Sequence, residues 1–309
     1  MRKPKPEPRY HLTDSGVRRR HWTVLKLIEW SGQYLIEKGI ERGRLDAEHL
    51  LAHAMRVSRL DLYLQYDRPL SGVELDRYRP LLTRRAQREP LQYIMGQTSF
   101  RNLELEVDQA VLIPRPETEI LVDEVLEWVA GNGFKELVAL DIGTGSGAIA
   151  LSLVHEGPFS RVVATDSSKM ALEVATRNAL MTGLSERVDF RIGEYFNPLT
   201  VDEIFEVIVS NPPYVADGEA QALDPEIRDW EPGDALFSGP DGLAALRRIA
   251  TGAGLHLRPG GLLALEVGLG QAGYVMEFLE DTAEFVGVRV RQDLTGRERI
   301  VLAHRAMTD

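Results

Sequence analysis

The stretch VIVSNPPYVADG, Val207 to Gly218, places an unusual set of groups at what reads as the end of a strand. The apolar run Val207, Ile208 and Val209 stops at Ser210, and Asn211, Pro212, Pro213 and Tyr214 follow at once. Successive prolines fix φ at both positions and remove two amide donors, so the nearby carbonyls have no neighbouring N-H competing for them. Asn211 offers one oxygen that accepts a hydrogen bond and an NH2 that donates, and Tyr214 offers an aromatic face. Together they suit a clamp for a planar NH2 group: one hydrogen to the Asn211 side-chain oxygen, the other to the Pro212 carbonyl, and the plane against Tyr214. An amide or exocyclic amine nitrogen is a poor nucleophile because its lone pair is delocalised. Two accepted hydrogen bonds return electron density to it and orient it for attack on an electrophilic carbon. The plainer reading of NPPY alone is a proline turn leaving a strand.

A second stretch, ALDIGTGSGAIAL, runs from an apolar strand through Asp141, Gly143, Thr144, Gly145, Ser146 and Gly147 into a helical pattern. Glycines at this spacing let the chain turn with positive φ and bring backbone amides and a helix N-terminus against a nucleotide-like ligand. Gly143, Gly145 and Ala148 also fit the dinucleotide pattern GxGxxG/A, so the loop alone does not separate NAD from S-adenosylmethionine. Asp166, closing the next strand in VVATDSS, accepts ribose hydroxyls in either case. Three further features favour S-adenosylmethionine: Asp141 just before the glycines, a final antiparallel pair of strands, and NPPY at the end of the fourth strand.

These groups need elements to hold them. Residues 22 to 88 read as amphipathic helices, with Leu25, Ile28, Tyr34 and Leu35 at helical intervals and Asp46 placed as an N-cap. In TSFRNLELEVDQAVLIPRPETE, Leu103, Leu105 and Val107 alternate with Glu104, Glu106 and Asp108, the period of a half-exposed strand, and predict a β-hairpin joining the helices to the remainder of the chain. After Glu119 a long helix precedes apolar runs at 137–142, 161–166, 188–192, 207–210 and 261–267, separated by helical segments. Such alternation predicts a mainly parallel sheet covered on both faces. The last runs, 285–290 and 300–303, lack room for a helix between them and predict an antiparallel pair at the sheet edge. The expected architecture is α/β: a seven-stranded, Rossmann-like sheet of the class I methyltransferase type, an N-terminal helical domain and a connecting β-hairpin. The expected division is a basic tail at 1–20, a helical domain at 21–90, the hairpin linker at 91–118 and the catalytic domain at 119–309.

Composition sets outer bounds. The 309 residues are 44% hydrophobic and 27% charged, which is ordinary for a globular protein able to bury a core. There is no cysteine, so disulfides, thiolate metal sites and cysteine nucleophiles are excluded. No run suits a membrane helix, and a cytoplasmic protein is expected. Net charge is −11, but the first 20 residues carry seven basic side chains against Glu7 and Asp14, leaving −16 on the remainder. So acidic a body disfavours nucleic acid as the direct substrate. His49 and His53 stand four apart on a predicted helix without a third ligand, and no metal site is expected.

Five segments in order, GQTSF…VLIPRPETE, DIGTGSGAIAL, VSNPPY, EPGDALFSGPDGL and LEVGLGQ, resemble the HemK-like protein glutamine methyltransferases, in particular the branch that modifies peptide-chain release factors. The resemblance spans roughly residues 45 to 305. It implies S-adenosylmethionine as donor, N5-methylation of the glutamine in the Gly-Gly-Gln loop of class 1 release factors, and a helical domain that helps hold the release factor. It further implies cofactor contacts from Gly143 to Gly147, Asp166 and Tyr195, the last against the adenine, and substrate contacts from Asn211 to Tyr214. Arg115, Glu117 and Glu119 in RPETE are expected either to shape the substrate mouth or merely to begin a helix, where acids suit the dipole. Glu266 in LEVG reads as pocket wall.

Overall fold

The computed structural model describes residues 22–133 and 135–307, so the basic tail at 1–20 lies outside the described residues. The chain divides into two compact units between Ala86 and Gln87. The first is helical, with α1 Val24–Glu37, α2 Gly43–Met55, α3 Arg59–Leu64 and α4 Gly72–Ala86. Val24, Leu27, Ile28 and Leu35 of α1 are buried, as the helical period requires. Thr23 caps α1 by accepting from Lys26 N, and Ser58 and Asp61 form a capping box on α3. Asp46 does not cap α2. That helix starts three residues earlier, and the buried Asp46 carboxylate accepts from Arg85 Nε at 2.7 Å instead. A partner 39 positions away outweighs the local preference of aspartate for a helix start.

The second unit opens with α5 Leu91–Met95 and an antiparallel hairpin, β1 Gln97–Phe100 and β2 Leu103–Glu106. The hairpin is thus confined to ten of the residues expected to form the linker, with a helix before it and a loop to Arg115 after it. Arg101 at its tip takes φ +51° and is tied down on three sides. Its backbone N donates to Glu119 Oε1 at 2.9 Å, and its guanidinium reaches Glu156 at 2.8 Å and Asp123 at 2.6 Å.

There follow α6 Pro116–Asn132, β3 Leu137–Ile142, α7 Ala148–Glu156, β4 Phe159–Asp166, α8 Lys169–Thr182, β5 Val188–Ile192, β6 Phe205–Ser210, α9 Pro225–Arg228, α10 Ala244–His256, β7 Leu257–Glu266, α11 Ala272–Asp281, β8 Phe285–Gln292 and β9 Glu298–Arg305. The sheet order is β5-β4-β3-β6-β7-β9-β8. Strands β3 to β7 run parallel, and β9 pairs antiparallel with both β7 and β8. The expected seven strands are all present in these roles. A helix does not separate every pair, however: residues 193–204, between β5 and β6, are turns. Gly193, Asn197 and Pro198 in that stretch each oppose helix propagation. Along β3 the alternate residues Leu137 and Ala139 enter one core cluster with α6 and α7, while Leu140 and Ile142 enter another with α10 and α11. Period-two alternation therefore buries both faces, leaving strand ends and loops as the place for a site.

Candidate active site

Because β3 is flanked by β4 on one side and β6 on the other, the connections leave its carboxyl end in opposite directions and open a crevice there. A cavity of about 370 Å3 lies at this point, lined by Gly143, Thr144, Gly145 and Ser146 after β3, Asp166 after β4, Tyr195 after β5, and Asn211, Pro212 and Pro213 after β6. Nine residues proposed from sequence thus meet in one place.

The loop after β3 owes its shape to glycine. Gly143 and Gly145 take φ of +72° and +55°, and a Cβ on either would meet no protein atom within 4 Å, so the space above them is open for a ligand. Gly147 serves packing instead, since a Cβ there would lie 3.3 Å from Ala175 Cβ on α8. Asp141 lies beneath the loop and does not line the cavity. Its Oδ2 accepts from Thr144 Oγ1 at 2.7 Å and Ala150 N at 3.2 Å, binding the loop to the first turn of α7. Its Oδ1 is buried without a partner, and burial pushes the carboxyl up to about 7. Asp166 does face the cavity. It accepts from Gly145 N at 2.9 Å through Oδ2 and from Ser168 N at 2.8 Å through Oδ1, while burial raises its pKa and those two bonds oppose the rise.

Tyr195 has φ +50°, and its backbone carbonyl accepts from Thr165 Oγ1 at 3.2 Å. The Arg248 guanidinium lies 6.0 Å from its ring centroid, so a cation and an aromatic face stand together at this wall.

Asn211 is held by a chain of hydrogen bonds. Its Nδ2 donates to Thr118 Oγ1 at 3.0 Å, Thr118 Oγ1 donates to Glu266 Oε2 at 2.7 Å, and the Tyr214 hydroxyl donates to Glu266 Oε1 at 3.3 Å. Glu266 is 1% exposed, and burial, with Glu117 nearby, pushes it up to about 7 against the opposing bond from Thr118. Tyr214 does not line the cavity; its ring packs in the core cluster beside α10 and its phenol is raised by burial. The NPPY backbone is fixed from behind: Gln271 Nε2 donates to Tyr214 O at 2.9 Å, Val215 N donates to Leu236 O, and Val215 O accepts from Ser238 N at the start of the SGPDG loop.

Arg115, Glu117 and Glu119 do not line the cavity either. Arg115 pairs with the buried Glu231 at 2.5 Å, joining the RPETE turn to the loop that carries Pro232 and Asp234 to the cavity wall. Glu119 accepts from the hairpin tip, and only Pro114 and Thr118 of this segment reach the cavity. Sequence reasoning passed over Thr118, Arg248 and Gln271 and read Glu266 as wall. The available signal was PRPETE itself, where the charges drew attention from the one hydroxyl. His49 Nε2 accepts from the Arg59 guanidinium at 3.1 Å, and no group of three metal-ligating side chains occurs among the described residues. No helix among them is long and apolar enough to cross a membrane.

Residues 26–96 match the PrmC N-terminal domain family and residues 118–226 the methyltransferase small domain family. A release factor glutamine methyltransferase of Geobacter sulfurreducens is 42% identical over 91% of this chain and 96% of its own length. Those of Rhodopirellula baltica and Xylella fastidiosa are 37% and 43% identical, over 92% and 84% of this chain and 97% and 92% of theirs. Among solved structures, the catalytic domain of hMettl16 bound to a MAT2A 3′UTR hairpin aligns at TM-score 0.55 with 17% identity, covering 74% of this chain and 82% of that one. A Pyrococcus furiosus methyltransferase aligns at TM-score 0.50 with 20% identity, covering 66% and 90%. These two likenesses bear on the fold, which is that of class I methyltransferases. The sequence relatives go further, and the chain belongs to the release factor glutamine methyltransferase family.

Proposed function

We propose that this protein transfers a methyl group from S-adenosylmethionine to the N5 nitrogen of the glutamine in the Gly-Gly-Gln loop of class 1 release factors, in the cytoplasm. The observation that carries this reading is the side chain of Asn211. Its NH2 is committed to Thr118, so its oxygen is the atom left for the cavity that the glycine loop also lines. An acceptor so placed suits a primary amide.

The residues present fit the cofactor. Open space over Gly143 and Gly145 admits it, Asp166 keeps lone pairs for ribose hydroxyls beyond its two backbone bonds, and Tyr195 with Arg248 offers a wall for the adenine. When bound, S-adenosylmethionine supplies a methyl group activated on a sulfonium. The chain's own task is orientation. Asn211 Oδ1 and the Pro212 carbonyl accept the two hydrogens of the substrate amide, hold its plane, and push density onto nitrogen. A strong base is not required, because the nitrogen becomes acidic only on gaining the methyl. Arg115 acts on the mouth through Glu231, which fixes the loop bearing Pro232 and Asp234. The helical unit, residues 22–86, recognises the body of the release factor.

A radiolabelled methyl-transfer assay tests this directly, using a purified release factor beside a variant in which the Gly-Gly-Gln glutamine is replaced. Label on the first and not the second is expected. Equal label on both, or none on either with cofactor binding intact, overturns the assignment and points to ribosomal protein or RNA acceptors.

A further inference from the structure

We infer that Thr118 and Glu266 are positioning residues: they fix which end of the Asn211 carboxamide faces the cavity, and so select a hydrogen-bond donor as the group bound there. This inference rests on the reading of Asn211 as acceptor for the substrate amide.

A carboxamide is nearly symmetric in shape, and its oxygen and NH2 exchange places by a half turn. What decides between the two is the partner on the other side. Thr118 is 4% exposed, and its hydroxyl has a single proton, which goes to Glu266 Oε2 at 2.7 Å. Its oxygen can then only accept, and Asn211 must present Nδ2 to it, at 3.0 Å. Asn211 Oδ1 has no partner among the described residues and is the end left to the cavity. Tyr214 donates to the second oxygen of Glu266, so both carboxylate oxygens receive and neither gives. The direction of the whole chain is set by a carboxylate at its far end, on β7, acting across α6 on a residue after β6.

The same logic makes the direction depend on the proton of Glu266. A proton on Glu266 Oε2, the oxygen bonded to Thr118, is donated to the Thr118 hydroxyl, whose own proton then turns to Asn211. That side chain must rotate to offer Oδ1 to Thr118, leaving NH2 against a substrate NH2. The groups facing Glu266 are Thr118 and Glu117 on α6, Tyr214 after β6, and Arg299 on β9; Glu117 and burial favour the proton, while Thr118, Tyr214 and Arg299 oppose it. The pKa of Glu266, raised to about 7, puts the change in an accessible range, with the productive direction above it and the reversed one below.

The test compares full-length wild type, Thr118→Val, Thr118→Ser and Asn211→Ala for turnover on a release factor from about pH 5.5 to 9, with the cofactor Kd measured alongside. Valine keeps the volume and removes the hydroxyl; serine keeps the hydroxyl. Thr118→Val should lose roughly tenfold in kcat, as expected for releasing one orienting hydrogen bond. Its pH profile should lose the acidic fall expected of the wild type, because Glu266 no longer reaches Asn211. Thr118→Ser should restore both. Wild-type turnover and pH profile in Thr118→Val, beside an inactive Asn211→Ala, overturns the positioning inference and leaves the clamp standing. Full activity in Asn211→Ala overturns the clamp itself. A Thr118→Val protein that also loses the cofactor counts against the inference, since positioning of Asn211 leaves that step alone.

Discussion

The backbone N of Gly145 donates to Asp166 Oδ2 at 2.9 Å, so the carboxylate after β4 holds the glycine loop after β3 as well as facing the cavity. Its other oxygen is taken by Ser168 N. Both oxygens therefore meet backbone donors, and an amide cannot replace the carboxylate without setting its NH2 against an N-H. Asp166→Asn should weaken cofactor binding by more than the loss of a ribose contact alone, at about 1.5–3 kcal/mol for a charged hydrogen bond. That corresponds to roughly tenfold to a hundredfold in Kd by calorimetry. An affinity within a factor of about two of wild type would show that the loop holds its shape without Asp166.

Asn211→Ala bears on turnover instead. One preorganised acceptor at the reacting nitrogen is lost, and by analogy with removal of an oxyanion-hole contact kcat should fall about 10²- to 10³-fold. The glycine loop and Asp166 are untouched, so the cofactor Kd should stay near wild type. The reverse pattern, full turnover with weakened cofactor binding, would place Asn211 in the cofactor site and remove it from the clamp.

Much of the fold is legible in the chain because its signals are local. Buried parallel strands write themselves as short apolar runs between turn residues, so β3 and β5 stand where the runs stand, β6 starts two residues before its run, and the glycine loop and NPPY sit at strand ends. What local pattern does not convey is pairing at a distance. Thr118 and Glu266 are 148 positions apart, and nothing near either announces the other. Asp46 has the chemistry of a cap, but Arg85 on α4 claims it. Arg115 and Glu119 have the chemistry of a pocket mouth or a helix start, yet they act through Glu231 and Arg101, partners from other loops.

Asp141 predicts a pH signature in stability. Its folded pKa of about 7 lies above the ordinary value near 3.9, so between those pH values the native state holds a proton that the unfolded chain lacks. Its contribution is therefore fully present at low pH and is lost as pH rises through about 7. Asp141→Asn keeps an acceptor for Thr144 and Ala150 and removes the charge. The stability of this variant relative to wild type, from urea unfolding of the cofactor-free proteins, should rise with pH by up to about 1.4 kcal/mol per unit between pH 5 and 7 and level off above. Parallel curves across that range would mean that Asp141 is ionised throughout.

Gly242, in the SGPDG loop, lies outside the cavity wall yet should control turnover. Its φ is +72°, and a Cβ there would collide with Tyr214 O and fall 2.8 Å from Gln271 Nε2. The obstacle is the backbone of NPPY itself, together with the side chain that donates to it, so neither can swing aside cheaply. Gly242→Ala thus combines the left-handed conformation, about 1–2 kcal/mol for an L residue, with a forced shift of the segment that aims Asn211 and Pro212. The expected result is a marked fall in kcat with a smaller change in cofactor Kd, since the glycine loop after β3 is not in contact. Gly218→Ala is the control: it is also near this loop, but its Cβ would meet nothing within 4 Å and its φ is not left-handed, so activity should hold. Equal activity in the two variants would show that the clamp tolerates displacement of its own backbone, and the case for preorganisation at Asn211 would fall with it.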